Sequence, residues 1–171
     1  MFSTILVAIG ANLPDERGRA ALQTCEWAAA QLDGLCGCRL LEVSRWFRTT
    51  PVPASDQPDF VNGVARLSGA ADPRALLHAL HGLEAAAGRT RSAVNAARVL
   101  DLDLIAMDGL QVNAPDLVLP HPRATSRAFV LAPLCDVAPG WRDPDSGQAA
   151  RELLAHLDMA GVQPIVYSPL V

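Results

Sequence analysis

The chain has 171 residues, half of them hydrophobic, and a formal charge of -4; that is enough for one well-buried core and too little for two ordinary domains. The acidic balance argues against a general nucleic-acid binder. All 14 cationic side chains are arginine, which excludes a phosphate-loop lysine or a Schiff-base lysine and leaves cationic chemistry to arginine and histidine.

A single domain over residues 1–171 is therefore expected, with 158–171 as an extended tail. Met1 to Gly10 lacks the basic start and cleavage site of a signal peptide, and no apolar run reaches membrane-spanning length. The expected location is the cytoplasm, with no membrane partner. Cys25, Cys36, Cys38 and Cys135 form no pair of Cys-x-x-Cys spacings and read as reduced thiols rather than zinc ligands.

Ile5 to Ile9 is a short apolar run that predicts a buried strand, closed by Gly10 and Asn12. Small or apolar residues at Ala21, Cys25, Ala28 and Leu32 predict a helix that Gly34 stops. Leu41, Val43 and Phe47 alternate with polar residues and predict a second strand, and Phe60 to Leu67 a third. Residues 49–59 hold three prolines and two aspartates, a composition suited to a substrate-facing loop. Asp72 and Pro73 open a helix whose core stripe is Leu76, Leu80, Leu83 and Ala87, with Gly88 ending it. The strand after Arg98 is expected to pair with Leu110 to Val112 through an Asp108-Gly109 hairpin. Residues 124–137 predict a short helix that Pro133 begins, bends or interrupts, and a further helix runs from about Ala149 to Leu157. Strand, helix, strand, strand, helix, strand is the split ferredoxin-like order. The expected fold class is α+β, a ferredoxin-like antiparallel sheet with helices packed on it.

The chemistry concentrates in Arg98-Val99-Leu100-Asp101-Leu102-Asp103-Leu104-Ile105. In a strand, Asp101 and Asp103 project from one face while Leu100, Leu102 and Leu104 enter the core. Two carboxylates roughly 6 to 7 Å apart along the backbone can reach one divalent cation or a close pair of them. Alone, the motif reads as the solvated face of an amphipathic strand. Arg89, Arg91, Arg98, Arg127 and His121 on flanking segments change that reading to a magnesium polyphosphate site, because the guanidinium fork suits phosphate oxygens.

These segments, with Ala8-Ile9-Gly10-Ala11-Asn12-Leu13, Phe47-Arg48-Thr49-Thr50-Pro51, Gln57 to Asn62, Leu83-Glu84, Gly88 to Arg91 and Leu119 to Leu134, resemble in order and spacing the 6-hydroxymethyl-7,8-dihydropterin pyrophosphokinase family over roughly residues 4–140. The resemblance implies magnesium-dependent transfer of diphosphate from ATP to the pterin hydroxymethyl group, releasing AMP, in folate biosynthesis. It implies two magnesium ions (Mg2+) on Asp101 and Asp103, with ATP as co-substrate. Arg91, Arg98, His121 and Arg127 would contact the triphosphate, Arg89 would support them, and Glu84 and Leu104 would lie near the nucleoside. Phe60 and Phe129 would stack on the pterin, while Asn62 and Thr49, with backbone groups of Thr50 and Val52, would read its polar edge. The implied partners are these small molecules, with no nucleic acid. His78 and His81 lack metal-site partners in the sequence, and Trp27, Trp46 and Trp141 read as packing groups.

One departure stands out. The family commonly shows Arg-Trp-Gly-Pro-Arg before its aspartates, in a loop that closes over ATP and pterin, whereas this chain has Val94-Asn95-Ala96-Ala97-Arg98, aligned with that loop as one residue shorter and without the tryptophan. The alternative is a divergent relative with a shortened lid that binds pterin or nucleotide without efficient transfer, or uses a different acceptor. Asp116 also stands where a basic residue is common, which implies added negative charge near the polyphosphate.

Overall fold

The computed structural model describes residues 3–89 and 96–167. Strand β1 (Ser3–Ala11) lies inside the sheet, antiparallel to β4 (Phe60–Gly69) on one side and to β5 (Asp101–Met107) on the other. Beyond β4 come β3 (Phe47–Thr49) and then β8 (Val162–Pro164), so the sheet runs β5-β1-β4-β3-β8. Strand β2 (Arg39–Val43) pairs with the other half of β4.

The apolar run in β1 reflects cover on both faces. On one face, helices α1 (Ala21–Gln31) and α2 (Pro73–Ala86) pack on Ile5, Val7, Ile9, Leu67, Leu102 and Leu104. On the other, α3 (Ala128–Val137) and α4 (Ala150–Ala155) pack on Leu6, Val64 and Ile105. The α+β class with antiparallel pairing is as expected. Helix α2 starts as its sequence predicts, with the Asp72 carboxylate accepting from the Ala75 N–H at 2.9 Å and Pro73 in the first turn. Its buried stripe includes Leu76 and Leu80, each of which would cost about 2–5 kcal/mol on truncation to alanine.

Three expectations need correction. Leu41, Val43 and Phe47 do not share one strand: the chain breaks between β2 and β3, where Ser44 hydroxyl accepts from the Val64 N–H at 2.9 Å and Arg45 turns away to Asp136. A register shift between Leu40 and Glu42 leaves Leu41 exposed. The acidic strand does not pair with Val112. Asp108-Gly109 does turn, with Gly109 at φ 68°, but β6 (Val112–Ala114) pairs with β7 (Leu117–Leu119) through Pro115-Asp116 instead. Finally, part of the segment expected as an extended tail is strand β8, paired with β3.

Candidate active site

Register places the chemistry. Gly10 on β1 lies opposite Asp101 on β5 and opposite Asn62 on β4, and Asn62 lies opposite Phe47 on β3. Directly paired residues face the same way, so Asp101, Gly10 and Asn62 form a rank across three strands on the α3 face. At about 4.8 Å per strand, the backbones of Asp101 and Asn62 stand about 10 Å apart across the sheet. Gly10 keeps that rank open: a Cβ there would lie 2.6 Å from the Asn62 Oδ1. Asp103 sits opposite Ala8 on the same face.

Both aspartates are half-buried, whereas Leu100, Leu102 and Leu104 enter the core of the opposite face. Leu104 is therefore a core residue whose side chain is not brought to this wall; alternation along β5 makes the two placements mutually exclusive. The Asp101 Oδ1 accepts from Arg89 at 2.8 Å and from Arg98 at 3.4 Å. Arg89 also pairs with Glu84 on α2. Glu84 is itself buried and accepts the Leu102 N–H at 2.8 Å. Burial pushes its carboxyl up to about 7, against the Leu102 N–H and Arg89. The structure thus joins Glu84 to Arg89 and β5.

A β-bulge follows the aspartates. Leu6 pairs with Ala106 but Val7 with Leu104, leaving Ile105 as the extra residue. Its carbonyl accepts the His121 N–H at 2.8 Å, which brings His121 and the segment after Pro120 onto the acidic side. The His121 Nδ1 accepts from the Arg123 N–H at 3.2 Å, so the neutral ring carries its proton on Nε2. Burial lowers the His121 pKa, with Arg127 and Arg123 adding to the shift and Asp103 opposing it. Burial and the Asp101 charge raise that of Asp103, while His121, Arg127 and Arg89 hold it down. Arg127 lies over the Phe129 ring, 5.5 Å from its centroid. Arg91, Val94 and Asn95 lie outside the described residues.

Two half-buried carboxylates on one wall fit magnesium, which commonly takes one or two protein carboxylates and completes its shell with phosphate oxygens and water. Among the described residues, no group of three or more His, Cys, Asp and Glu is placed to hold a metal ion. Asp116, expected to add negative charge, is instead held by Arg74 at 2.7 and 3.2 Å.

Across the rank, the Asn62 Nδ2 donates to the buried Thr49 Oγ1 at 2.7 Å. Phe60 precedes Asn62 by two residues and shares its face, and Phe129 packs in the cluster containing Ala8 and Val64. Of the expected backbone readers, the Thr50 N–H is already committed to the Gly161 carbonyl at 3.0 Å, and the Val52 side chain is 74% exposed. Sequence reasoning missed Asn12. It is buried; its Nδ2 donates to Pro58 O at 3.0 Å and Gln57 Oε1 at 3.2 Å, and its Oδ1 accepts the Arg98 N–H at 2.7 Å. Its burial and its partners, 45 to 86 residues away, are set by the fold and leave no local signal in the sequence. A cleft of about 390 Å³ beside β6 and β7, lined by Gln111, Val118, Pro120 and Asp145 among others, contains neither aspartate of the acidic wall.

An antiparallel α+β sheet with paired carboxylates and clustered arginines on one side, and aromatic and amide side chains on the other, has the build of a transferase for a phosphate-containing group. The family model described as 7,8-dihydro-6-hydroxymethylpterin-pyrophosphokinase (HPPK) matches residues 6–139. The 2-amino-4-hydroxy-6-hydroxymethyldihydropteridine pyrophosphokinase of Pseudomonas aeruginosa is 39% identical over 95% of this chain and 97% of its own length. The Synechocystis sp. protein of the same name is 34% identical over 94% of this chain and 79% of its own. This chain belongs to the 7,8-dihydro-6-hydroxymethylpterin-pyrophosphokinase family, which is a family of enzymes. A crystal structure of wild-type Plasmodium falciparum HPPK-DHPS shares the fold at a TM-score of 0.65 and 12% identity, over 90% of this chain; this chain spans 43% of that one.

Proposed function

We propose that the protein transfers diphosphate from ATP to the hydroxymethyl oxygen of 6-hydroxymethyl-7,8-dihydropterin, with magnesium, in the cytoplasm, as a step of folate biosynthesis. The observation that carries this reading is the rank Asp101–Gly10–Asn62, which sets an acidic wall and a polar, aromatic subsite on one face about 10 Å apart. That spacing accommodates a flat acceptor on the β4 side with its alcohol directed at a polyphosphate on the β5 side.

In this reading the pterin oxygen attacks the β-phosphorus, the bond from that phosphorus to the α,β-bridging oxygen breaks, AMP leaves, and the hydroxyl proton is released. Asp101 and Asp103 would hold two magnesium ions. Bound magnesium supplies charge neutralisation on the phosphate oxygens. Arg98, Arg127 and Arg91 bind the triphosphate as cations. His121, neutral with its proton on Nε2, donates to a phosphate oxygen. Arg89, held between Glu84 and Asp101, keeps the acidic wall oriented until the nucleotide arrives. Phe60 and Phe129 stack on the pterin; Asn62, oriented by Thr49, reads its edge. Thr50, whose N–H is engaged, contributes its carbonyl, together with backbone groups of Val52.

The test mixes purified protein with ATP, magnesium and the pterin and separates the products chromatographically. AMP matched by pterin diphosphate is expected. ADP would overturn the reaction type, and binding without turnover would favour the divergent relative with a shortened lid or a different acceptor.

A further inference from the structure

Strand β3 is three residues long yet carries Thr49, the partner of Asn62. One side of it is pinned to β4, where Phe47 pairs with Asn62 and Thr49 with Phe60. The other side is pinned to β8, where Phe47 pairs with Pro164 and Thr49 with Val162. The pairing continues past both ends. The Ile165 N–H donates to the Trp46 carbonyl at 2.8 Å, and the Thr50 N–H donates to the Gly161 carbonyl at 3.0 Å. After Thr50 the chain enters 51–59, which has no regular structure and is largely exposed. The Gly161 bond therefore fixes the exit of β3 into that loop.

The turn before β8 is built to deliver this bond. Asp158 Oδ1 accepts the Ala160 N–H at 2.8 Å, and the Met159 carbonyl accepts the Val162 N–H at 3.0 Å. Gly161 has φ 76°, and a Cβ on it would collide with the Thr50 Oγ1. Both the left-handed backbone and the close approach require glycine. Apart from any covering role, the contact reaches the acceptor side alone: β5, Arg89, Arg98 and His121 lie at the opposite edge of the sheet.

The geometry points to β8 and Gly161 as the positioning element of the acceptor subsite, a clamp that sets Thr49 and Thr50, and through Thr49 the amide of Asn62, for the pterin edge. This rests on the function proposed above. Gly161 is a positioning residue, since it acts through Thr50.

The test is Gly161→Ala in the full chain, read in two ways. Amide exchange without substrates should quicken in residues 47–50 while peptides from β5 and α2 keep wild-type rates, which shows that the fold survives. Steady-state kinetics should show the pterin KM rising about tenfold, with the ATP KM within about twofold of wild type. In a Thr50→Ala background the new methyl has no hydroxyl to displace, so the two substitutions should be less than additive on the pterin KM. Faster exchange at 47–50 with an unchanged pterin KM would reduce β8 to edge cover and overturn the proposal. Equal rises in both KM values, or unchanged exchange and unchanged KM, would overturn it as well. A wild-type protein that makes no pterin diphosphate sinks the reaction instead, an outcome visible before any variant is compared.

Discussion

At Asp103, burial and the neighbouring Asp101 charge both oppose ionisation, so the folded apo-protein is destabilised by the very pair that would bind a cation. Asp101→Asn or Asp103→Asn should therefore lower kcat/KM on the order of 10³-fold or more; Asp103→Asn should do so without lowering the melting temperature, since it removes like-charge repulsion, whereas Asp101 also accepts from Arg89 and Arg98. Normal turnover in either variant would remove the metal assignment. Glu84 makes a separate prediction through pH. Burial raises its carboxyl from the ordinary 4.5 to about 7, so its contribution to stability is complete below pH 4.5 and is lost as pH rises through 7. A glutamine does not titrate and keeps an oxygen for the Leu102 N–H. Denaturant titrations should show the stability of Glu84→Gln, relative to wild type, improving between pH 5 and pH 8 by at most about 3 kcal/mol. A gap that does not move with pH would show that Glu84 is charged in the fold at both values.

Among the elements, α3 carries the clearest division of labour: Val130, Leu131 and Leu134 are buried against the sheet, while Phe129 stays half-exposed beneath Arg127. Phe129→Ala should weaken pterin binding by at least about tenfold, from lost stacking area, and leave nucleotide binding within about twofold. Calorimetric titration with each ligand decides it; equal losses would make Phe129 a packing residue that holds Arg127. The elements that sequence reasoning placed well are those whose periodicity repeats, such as α2 with its Asp72 cap and Leu76–Leu80 stripe, and β5 with its alternating leucines and aspartates. Those it missed depend on non-local pairing. Strand β8 is three residues ending in Pro164, too short for alternation to register and tolerable only at a sheet edge. The Asp108-Gly109 turn was legible, but not its partner. β5 pairs with β1 along one side and on the other takes the His121 N–H at the Ile105 bulge, leaving Val112 to β7. The motif residues Asp101, Asp103 and His121 were visible as types and spacing, whereas Asn12 and Gly161 act through contacts 46 and 111 residues away and leave no local pattern.

Across the whole molecule, the acceptor side built on β3, β4 and β8 and the phosphate side built on β5 meet at β1, which lies between β4 and β5, and Asn12 just beyond its end ties them together. Its side chain holds Gln57 and Pro58 of the acceptor loop and the Arg98 N–H of the phosphate side, while its own N–H donates to the Arg98 carbonyl at 2.9 Å. Truncation leaves a partly buried N–H at Arg98 without its acceptor, a cost of about 1–3 kcal/mol. Both loops would lose the same anchor. Asn12→Ala should therefore raise the KM of ATP and of the pterin together, unlike Phe129→Ala, which should affect the pterin alone. A substitution that moved only one KM would mean that the two sides are held independently and that Asn12 serves just one of them. Because Asn12→Asp keeps an oxygen for the Arg98 N–H but loses the donor to Gln57 and Pro58, it should restore the ATP side and leave the pterin KM high, separating the two halves of the link within a single residue.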